Sequence, residues 1–135
     1  MDECVVSCAQ IYKKTERRLN LAAASHNFSW QDPDWAEKRP LLSELAEIAA
    51  GHGIKLTVCS QPDALEGPDS RLLTPARCID AGRLSEIAGY DIAARQKGNR
   101  DGCLCAESRD IGAYDTCAHG CVYCYAVADH GRAVE

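Results

Sequence analysis

A helix-like segment that runs directly into a strand-like segment, at residues 40–59, limits the fold of this chain more than any other feature. The first part carries one apolar stripe at helical spacing, made of Leu41, Leu42, Leu45, Ile48 and Ala49. This predicts a helix from about Pro40 to Ala50 that Gly51 and Gly53 end. The segment Ile54–Cys59 then alternates apolar and polar residues, which predicts a strand with two different faces. The pair indicates an α/β fold, in which ligands collect at the carboxyl ends of strands, where Cys59 lies.

Weaker patterns in the residues before this helix–strand pair predict further helices and a strand. Val5-Val6 predicts a strand end, and a helix is expected from about Ala9 to Ala24. The charged residues of that helix lie mostly off its apolar stripe, which predicts a solvated face; they are Lys13, Lys14, Glu16, Arg17 and Arg18. A further short helix is expected to start at Asp32-Pro33, with the aspartate as its cap.

The second half of the chain is predicted to be less regular. Asp80 is expected to cap a short helix at about Arg83–Ala88. The basic segment 89–102 is interpreted as a solvated loop, and a lid that meets a carboxylate or phosphate is the alternative. Residues 111–114 are predicted to form a strand, and residues 125–128 the start of a helix.

Three cysteines fall within eight residues near the end of the chain, at Cys117, Cys121 and Cys124. Thiolates are soft ligands that suit iron–sulfur clusters and zinc. A cubane 4Fe–4S cluster takes one ligand for each iron, so three cysteines leave one iron for a small molecule, water or a more distant residue. The alternatives are a zinc knuckle or loosely grouped structural thiols. His119, inside the segment, is either a further ligand or an imidazole that faces solvent or hydrogen-bonds the loop.

This spacing resembles the cluster loop of the radical S-adenosylmethionine superfamily, Cys-x3-Cys-x-aromatic-Cys, which Cys117, Cys121, Tyr123 and Cys124 match residue for residue. The resemblance implies that the three thiolates hold a 4Fe–4S cluster whose open iron binds the amino and carboxylate groups of S-adenosylmethionine. It also implies reductive cleavage of the sulfonium to a 5′-deoxyadenosyl radical, with Tyr123 beside the adenine. Alternatively, the Tyr123 ring packs the loop against the rest of the fold.

A wider resemblance covers most of the chain. The run from Cys103 to Cys117, continuing to Tyr125-Ala126, resembles the carboxy-terminal signature of the family of unknown function numbered 1848. Shorter pieces that also resemble it are Val5–Ser7, Tyr12–Thr15, His52–Ile54, Cys59-Ser60, Cys78–Asp80 and Arg83–Ser85. The resemblance implies a longer parent whose amino-terminal half is missing here. It implies no reaction, because the family has none assigned.

The cysteine content points to metal or redox chemistry. Nine cysteines among 135 residues is a large excess, which in a reducing compartment indicates metal binding more than disulfides. The start of the chain is acidic and has no signal-peptide pattern, so a cytoplasmic protein is expected. The net charge of −5 disfavours binding to nucleic acid, and no apolar run is long enough to span a membrane.

The cysteines outside the loop predict a second centre. Cys4 and Cys8 lie at a strand end and a helix start, and are expected to be structural. The four that remain are Cys59, Cys78, Cys103 and Cys105. Four thiolates complete either a cubane cluster or a tetrahedral zinc site, which would hold structure or relay electrons. The alternative for Cys59 is a small buried apolar side chain.

The position of the cysteine loop is unusual for the superfamily it resembles. There the loop comes early and further strands follow, whereas here only eleven residues follow Cys124. Either the fold is circularly permuted, or the cluster is not used for radical chemistry. We predict an α/β fold of the TIM-barrel type. Three candidate strands are too few to close such a barrel, so we expect the chain to form only part of one. We expect a single domain at residues 1–135. Within it, residues 1–102 supply helix and strand units, and residues 103–128 form the cysteine-rich cluster-binding segment.

The leading hypothesis is therefore an iron–sulfur, radical S-adenosylmethionine-like enzyme of unknown substrate. It would need a one-electron donor such as a flavodoxin or ferredoxin. One alternative is a non-enzymatic iron–sulfur or zinc protein for electron transfer or interaction. The other is a truncated fragment without function.

Overall fold

The computed structural model of the protein describes residues 2–133 and has a mixed α/β fold around an open, three-stranded parallel sheet. The strands are β1 (Glu3–Val6), β2 (Lys55–Val58) and β3 (Thr74–Pro75). The helices are α1 (Lys13–His26), α2 (Trp35–Gly51), α3 (Ala81–Ala88) and α4 (His130–Ala133). Two 3₁₀ turns, Pro62–Leu65 and Pro68–Ser70, connect β2 to β3.

Strand β2 is the centre of the sheet, between β1 and β3. Val6 pairs with Val58 across the β1–β2 ladder, and Thr57 pairs with Thr74 across the β2–β3 ladder. The predicted strand end at Val5-Val6 and the predicted strand over Ile54–Cys59 are both confirmed, the second with one residue fewer at each end.

Both faces of β2 are buried. On one face, Leu56 and Val58 join Leu42 and Ala46 of α2 in the main apolar core. Cys4 and Cys8 pack against the same core, which agrees with a structural role for both. On the other face Thr57 is only 1% exposed, and its hydroxyl donates a hydrogen bond to Glu3 Oε1 (2.8 Å). A strand covered on both sides is typical of a parallel sheet.

Helix α2 begins earlier than its apolar stripe predicts. The Asp34 carboxylate accepts hydrogen bonds from the backbone N–H groups of Ala36 (2.8 Å) and Glu37 (3.2 Å) and so caps the first turn. The separate helix start predicted at Asp32-Pro33 is therefore wrong, and Pro40 lies inside one continuous helix. Asp80 caps α3 as predicted, by accepting from the N–H groups of Gly82 and Arg83.

Two predicted elements near the end of the chain are absent among the described residues. Residues 111–114 form no strand, and Ile111 is 96% exposed, so no neighbouring strand covers it. Residues 125–128 form no helix, and α4 begins only at His130. The predicted helix at Ala9–Ala24 is confirmed but shifted, because Thr15 Oγ1 accepts from Tyr12 N (2.9 Å) and starts α1 at Lys13.

The chain divides into two compact units. The sheet unit contains Met1–Cys8 and Pro33–Arg109, and the loop unit contains Ala9–Asp32 and Asp110–Glu135. The four cysteines of the predicted second centre all belong to the sheet unit, and the three of the predicted cluster loop belong to the loop unit. Over residues 2–133, every helix is too short or too polar to cross a lipid bilayer.

Replacement of a core leucine tests the packing of α2 against the sheet. Leu42 is 5% exposed, whereas its neighbour Leu41 is 58% exposed. We expect Leu42→Ala to lower the free energy of unfolding by about 2–5 kcal/mol through lost burial and a residual cavity. We expect Leu41→Ala, the matched control, to change it by less than about 0.5 kcal/mol. Urea unfolding followed by circular dichroism measures both, and equal losses would contradict the packing described.

Candidate functional site

The cysteine loop, Cys117–Cys124, is an irregular segment of the loop unit that is closed by a turn. The Cys124 N–H donates to the Cys121 carbonyl oxygen (3.0 Å). Gly120 has a φ of +67°, in the left-handed region that favours glycine. Cys117 and Cys121 are exposed and Cys124 is half-buried. Two of the three thiols are thus open to a group from solution.

Arg18 of α1 holds the end of this loop. Its guanidinium donates to the carbonyl oxygens of Cys124 (2.9 Å), Val127 (2.6 Å) and Ala128 (3.0 Å). The predicted solvated helix face is therefore wrong for this residue. Arg18 and Cys124 are 106 positions apart in sequence, so no local pattern could have revealed the contact.

Asp115 joins the segments before and after the loop. It has a φ of +59°, its N–H donates to the Ala126 carbonyl (3.1 Å), and its carboxylate accepts from the N–H groups of Ala128 and Asp129. These contacts, with those of Arg18, use the backbone groups that a helix at residues 125–128 would need. This is the physical reason why the predicted helix does not form.

His130, the first residue of α4, contacts the loop near its amino-terminal end. Its Nε2 lies 2.7 Å from the carbonyl oxygen of Ala118. Because a carbonyl can only accept, Nε2 carries the proton of this hydrogen bond. A Cβ at Gly120 would lie 2.9 Å from the same ring nitrogen, so a side chain there would displace the imidazole from its present position.

The loop borders a cavity of about 600 Å³ within the loop unit. All three loop cysteines line it, together with Arg18, Leu21, His119, Val127 and His130. Tyr123, predicted to lie beside an adenine, is 59% exposed and is not among the residues that line this cavity. The sequence motif identified the three loop cysteines as candidate site residues. The contacts that Arg18, Asp115 and His130 make with the loop segment could not be read from that motif.

The four cysteines of the sheet unit come together from three segments. Cys59 follows β2, Cys78 precedes α3, and Cys103 and Cys105 lie in a later loop. The Cys78 thiol donates to Cys59 Sγ at 3.5 Å. The backbone N–H of Ile79, the residue after Cys78, donates to Cys105 Sγ at 3.4 Å, and Cys103 lies two residues before Cys105.

A hairpin-like pairing carries Cys103 and Cys105 to this place. Lys97 N donates to the Cys105 carbonyl (3.0 Å), Glu107 N donates to the Arg95 carbonyl (2.8 Å), and an isolated antiparallel bridge joins Gln96 to Ala106. Glu107 also accepts two hydrogen bonds from the Arg95 guanidinium (2.6 and 2.8 Å). The prediction of a solvated loop at residues 89–102 is confirmed, since none of these residues is buried, and exposed Arg95 pairs with a carboxylate of the same chain.

The surroundings of Cys59, Cys78 and Cys103 separate the pKa values of these three thiols. Burial opposes ionisation of Cys59, but hydrogen bonds from Ser60, Arg100 and Cys78 outweigh it and lower the pKa. Burial, and then the hydrogen bond to Cys59, raise the pKa of Cys78 to about 11. A hydrogen bond from the Cys105 backbone is the main cause that lowers the pKa of Cys103 to about 7.

Neither group of cysteines is closed around a single point. Over residues 2–133, no set of three or more His, Cys, Asp or Glu side chains has an arrangement that holds a metal ion. The donors in both places are nonetheless of the right chemistry, since thiolates bind zinc and iron–sulfur clusters. The loop unit offers three thiols on an open cavity, and the sheet unit offers four, of which Cys59 and Cys78 are in direct contact.

Substitution of Arg18 tests its hold on the loop. Arg18→Gln removes hydrogen bonds from a charged donor, each worth about 1.5–3 kcal/mol where buried and less where partly exposed. We expect amide hydrogen exchange at Cys124 and Ala128 to become roughly tenfold faster. Arg17→Gln, at the neighbouring exposed position, is the control and should leave these rates unchanged. Unchanged exchange in Arg18→Gln would show that the loop is held without the guanidinium.

The pKa separation in the sheet unit predicts different pH profiles for alkylation of the metal-free protein. The thiolate is the reactive form, so modification of Cys103 by iodoacetamide should rise with pH, with its midpoint at about pH 7, and level off at higher pH. Modification of Cys78 should still be rising near pH 10, because its pKa is about 11. Mass spectrometry of the labelled peptides measures both, and unfolding in guanidinium should abolish the difference. A common midpoint in the folded protein would contradict the contacts described.

Comparison with known proteins relates the chain to one family. No curated protein and no solved structure matches the chain. The family model described as "Domain of unknown function (DUF1848)" matches residues 1–126, which include all seven candidate cysteines in the two units. The chain therefore belongs to the DUF1848 family.

Proposed function

We propose that the protein binds a 4Fe–4S cluster through Cys117, Cys121 and Cys124 and acts as a radical S-adenosylmethionine-like enzyme. One observation carries the proposal: the three loop cysteines line the same cavity of about 600 Å³. The volume lies within the range of pockets that bind small molecules, about 300–1,000 Å³.

The number of thiols in the loop unit supports an incompletely ligated cluster. This unit contains three cysteines and no fourth, since its two segments span residues 9–32 and 110–135. Two of the three are exposed, so a group bound to them would face the cavity. An iron without a protein ligand is what coordination of S-adenosylmethionine requires.

The other residues of the loop unit would position this site. When bound, a 4Fe–4S cluster supplies one electron to S-adenosylmethionine at an iron with open coordination. Arg18 fixes the carbonyl groups on the carboxyl side of Cys124, and His130 fixes Ala118 between the first two cysteines. The cavity lining includes the apolar side chains of Leu21 and Val127. Tyr123 remains a candidate for contact with the adenine if it turns inward.

The parallel sheet is compatible with part of a TIM-like barrel. Its three strands lie side by side in the same order as they occur in the sequence, and all are parallel. Successive strands of a TIM barrel are arranged in the same way. We propose that these strands are a portion of such a barrel. We further propose a cytoplasmic protein that receives its electron from a flavodoxin or ferredoxin.

Anaerobic reconstitution with iron and sulfide tests the cluster. We expect the full chain to give the EPR signal of a reduced cubane cluster, and S-adenosylmethionine to shift that signal. Cys121→Ser should lose the signal, because only two loop thiolates then remain. Cys8→Ser, at a cysteine outside both groups of candidate ligands, is the matched control and should keep both the signal and its shift.

Each other outcome has a distinct meaning. A cubane signal that S-adenosylmethionine leaves unchanged would refute the radical enzyme and favour an electron-transfer or structural cluster. A signal that survives Cys121→Ser and disappears in Cys78→Ser would move the cluster to the sheet unit. Failure of the wild-type chain to form any cluster would refute cluster binding by this chain.

A further inference from the structure

We infer that Cys59, Cys78, Cys103 and Cys105 form a tetrahedral site for one zinc ion within the sheet unit. This site is distinct from the cysteine loop and shares no residue with it. The inference does not rest on the proposed function, since it would hold equally if the loop bound no cluster.

Short contacts bring three of the four thiols close together. Cys78 Sγ lies 3.5 Å from Cys59 Sγ, and the N–H of Ile79, the residue after Cys78, donates to Cys105 Sγ at 3.4 Å. Cys103 lies two residues before Cys105, and the Ser60 hydroxyl lies 3.6 Å from Cys59 Sγ. Binding of one ion by all four thiolates requires their side chains to move, because no three donors among residues 2–133 are already arranged to hold a metal.

The sulfur spacing favours a single ion over a cubane cluster. A zinc–sulfur bond of about 2.3 Å in a tetrahedron places neighbouring sulfurs about 3.8 Å apart. The observed 3.5 Å between Cys78 Sγ and Cys59 Sγ is close to this value. In a cubane each cysteine binds a different iron, which holds the sulfurs farther apart. Two cysteines in direct contact therefore suit one shared ion.

Groups around the thiols match the needs of a charged tetrathiolate site. Four thiolates around Zn²⁺ leave a formal excess of about two negative charges. The Arg100 guanidinium donates to Cys59 Sγ at 3.5 Å, and the backbone N–H of Ile79 points at Cys105 Sγ at 3.4 Å. Such outer contacts orient the ligands and offset their charge.

The backbone also makes room for this cluster of sulfurs. A Cβ at Gly98 would lie 2.8 Å from Cys103 Sγ and closer still to the Cβ and carbonyl oxygen of Cys103. Real Cβ atoms do not approach other atoms so closely, so glycine is the residue that lets Cys103 reach its place. The Cys59 segment is held by Gln61, whose side-chain amide exchanges two hydrogen bonds with the Cys8 backbone (both 2.8 Å).

Metal analysis of the full chain, expressed with zinc and purified without added iron, tests the inference. We expect about one zinc per chain in the wild type and in the triple variant Cys117→Ser, Cys121→Ser, Cys124→Ser. We expect Cys78→Ser and Gly98→Ala to bind zinc at least tenfold more weakly, as measured by competition with a chromophoric chelator. Gly51→Ala, at a glycine whose added Cβ would meet no atom within 4 Å, is the control for Gly98→Ala and should bind normally.

A second measurement on the wild type does not depend on the folding of any variant. Zinc should protect Cys59, Cys78, Cys103 and Cys105 from alkylation, and a chelator should remove that protection. Cobalt in place of zinc should give the visible absorption of a tetrahedral thiolate complex.

Three results would overturn the inference. Zinc that is lost in the triple loop variant and retained in Cys78→Ser would assign the ion to the cysteine loop. Binding of about four irons with sulfide by the triple loop variant would replace the zinc ion by a cluster. Equal alkylation of the four cysteines with and without zinc would exclude their role as ligands. Each of these outcomes is independent of whether S-adenosylmethionine affects a cluster in the loop.

Discussion

The burial of β2 on both faces is the constraint on which the sheet unit depends. One face contributes Leu56 and Val58 to the core under α2, and the other buries Thr57 against Glu3. Because β2 is also central in the sheet, its carboxyl end is hydrogen-bonded to both neighbouring segments: Cys59 N–H donates to the Val6 carbonyl, and Ala76 N–H donates to the Val58 carbonyl. Gln61 then ties this exit to the Cys8 backbone. The meeting of Cys59 with Cys78 and the later cysteines follows from this fixed exit.

The two groups of cysteines differ in physical character, and the difference separates their proposed roles. In the sheet unit, Cys78 contacts Cys59, and Cys59 and Cys105 accept hydrogen bonds from Arg100 and Ile79 respectively. The loop-unit thiols border a cavity and are partly exposed. Structural metal sites are closed by protein ligands, whereas catalytic sites keep one position open. We therefore propose a closed site in the first unit and an open one in the second.

The cysteine loop depends on side chains that replace the regular backbone pairing it lacks. Arg18 satisfies three carbonyl groups, Asp115 satisfies two N–H groups, and His130 satisfies a further carbonyl. An unpaired buried backbone group is costly, so an irregular loop needs such partners to keep one conformation. The thiols are thus presented by a segment whose shape is set by residues outside the motif.

The sequence by itself determined the elements and groups whose signals are local. Helical spacing marked α2, alternation marked β2, Asp80 marked the start of α3, and the Cys-x3-Cys-x-aromatic-Cys spacing marked the loop. The sequence also divided the nine cysteines into two that are expected to be structural, three in the loop and four others. Only the tertiary structure decided that Arg18 binds the loop, that Arg95 pairs with Glu107, and that residues 111–114 and 125–128 form no regular element. Those outcomes depend on partners far away in sequence that compete for backbone and charged groups, and local periodicity carries no information about such partners.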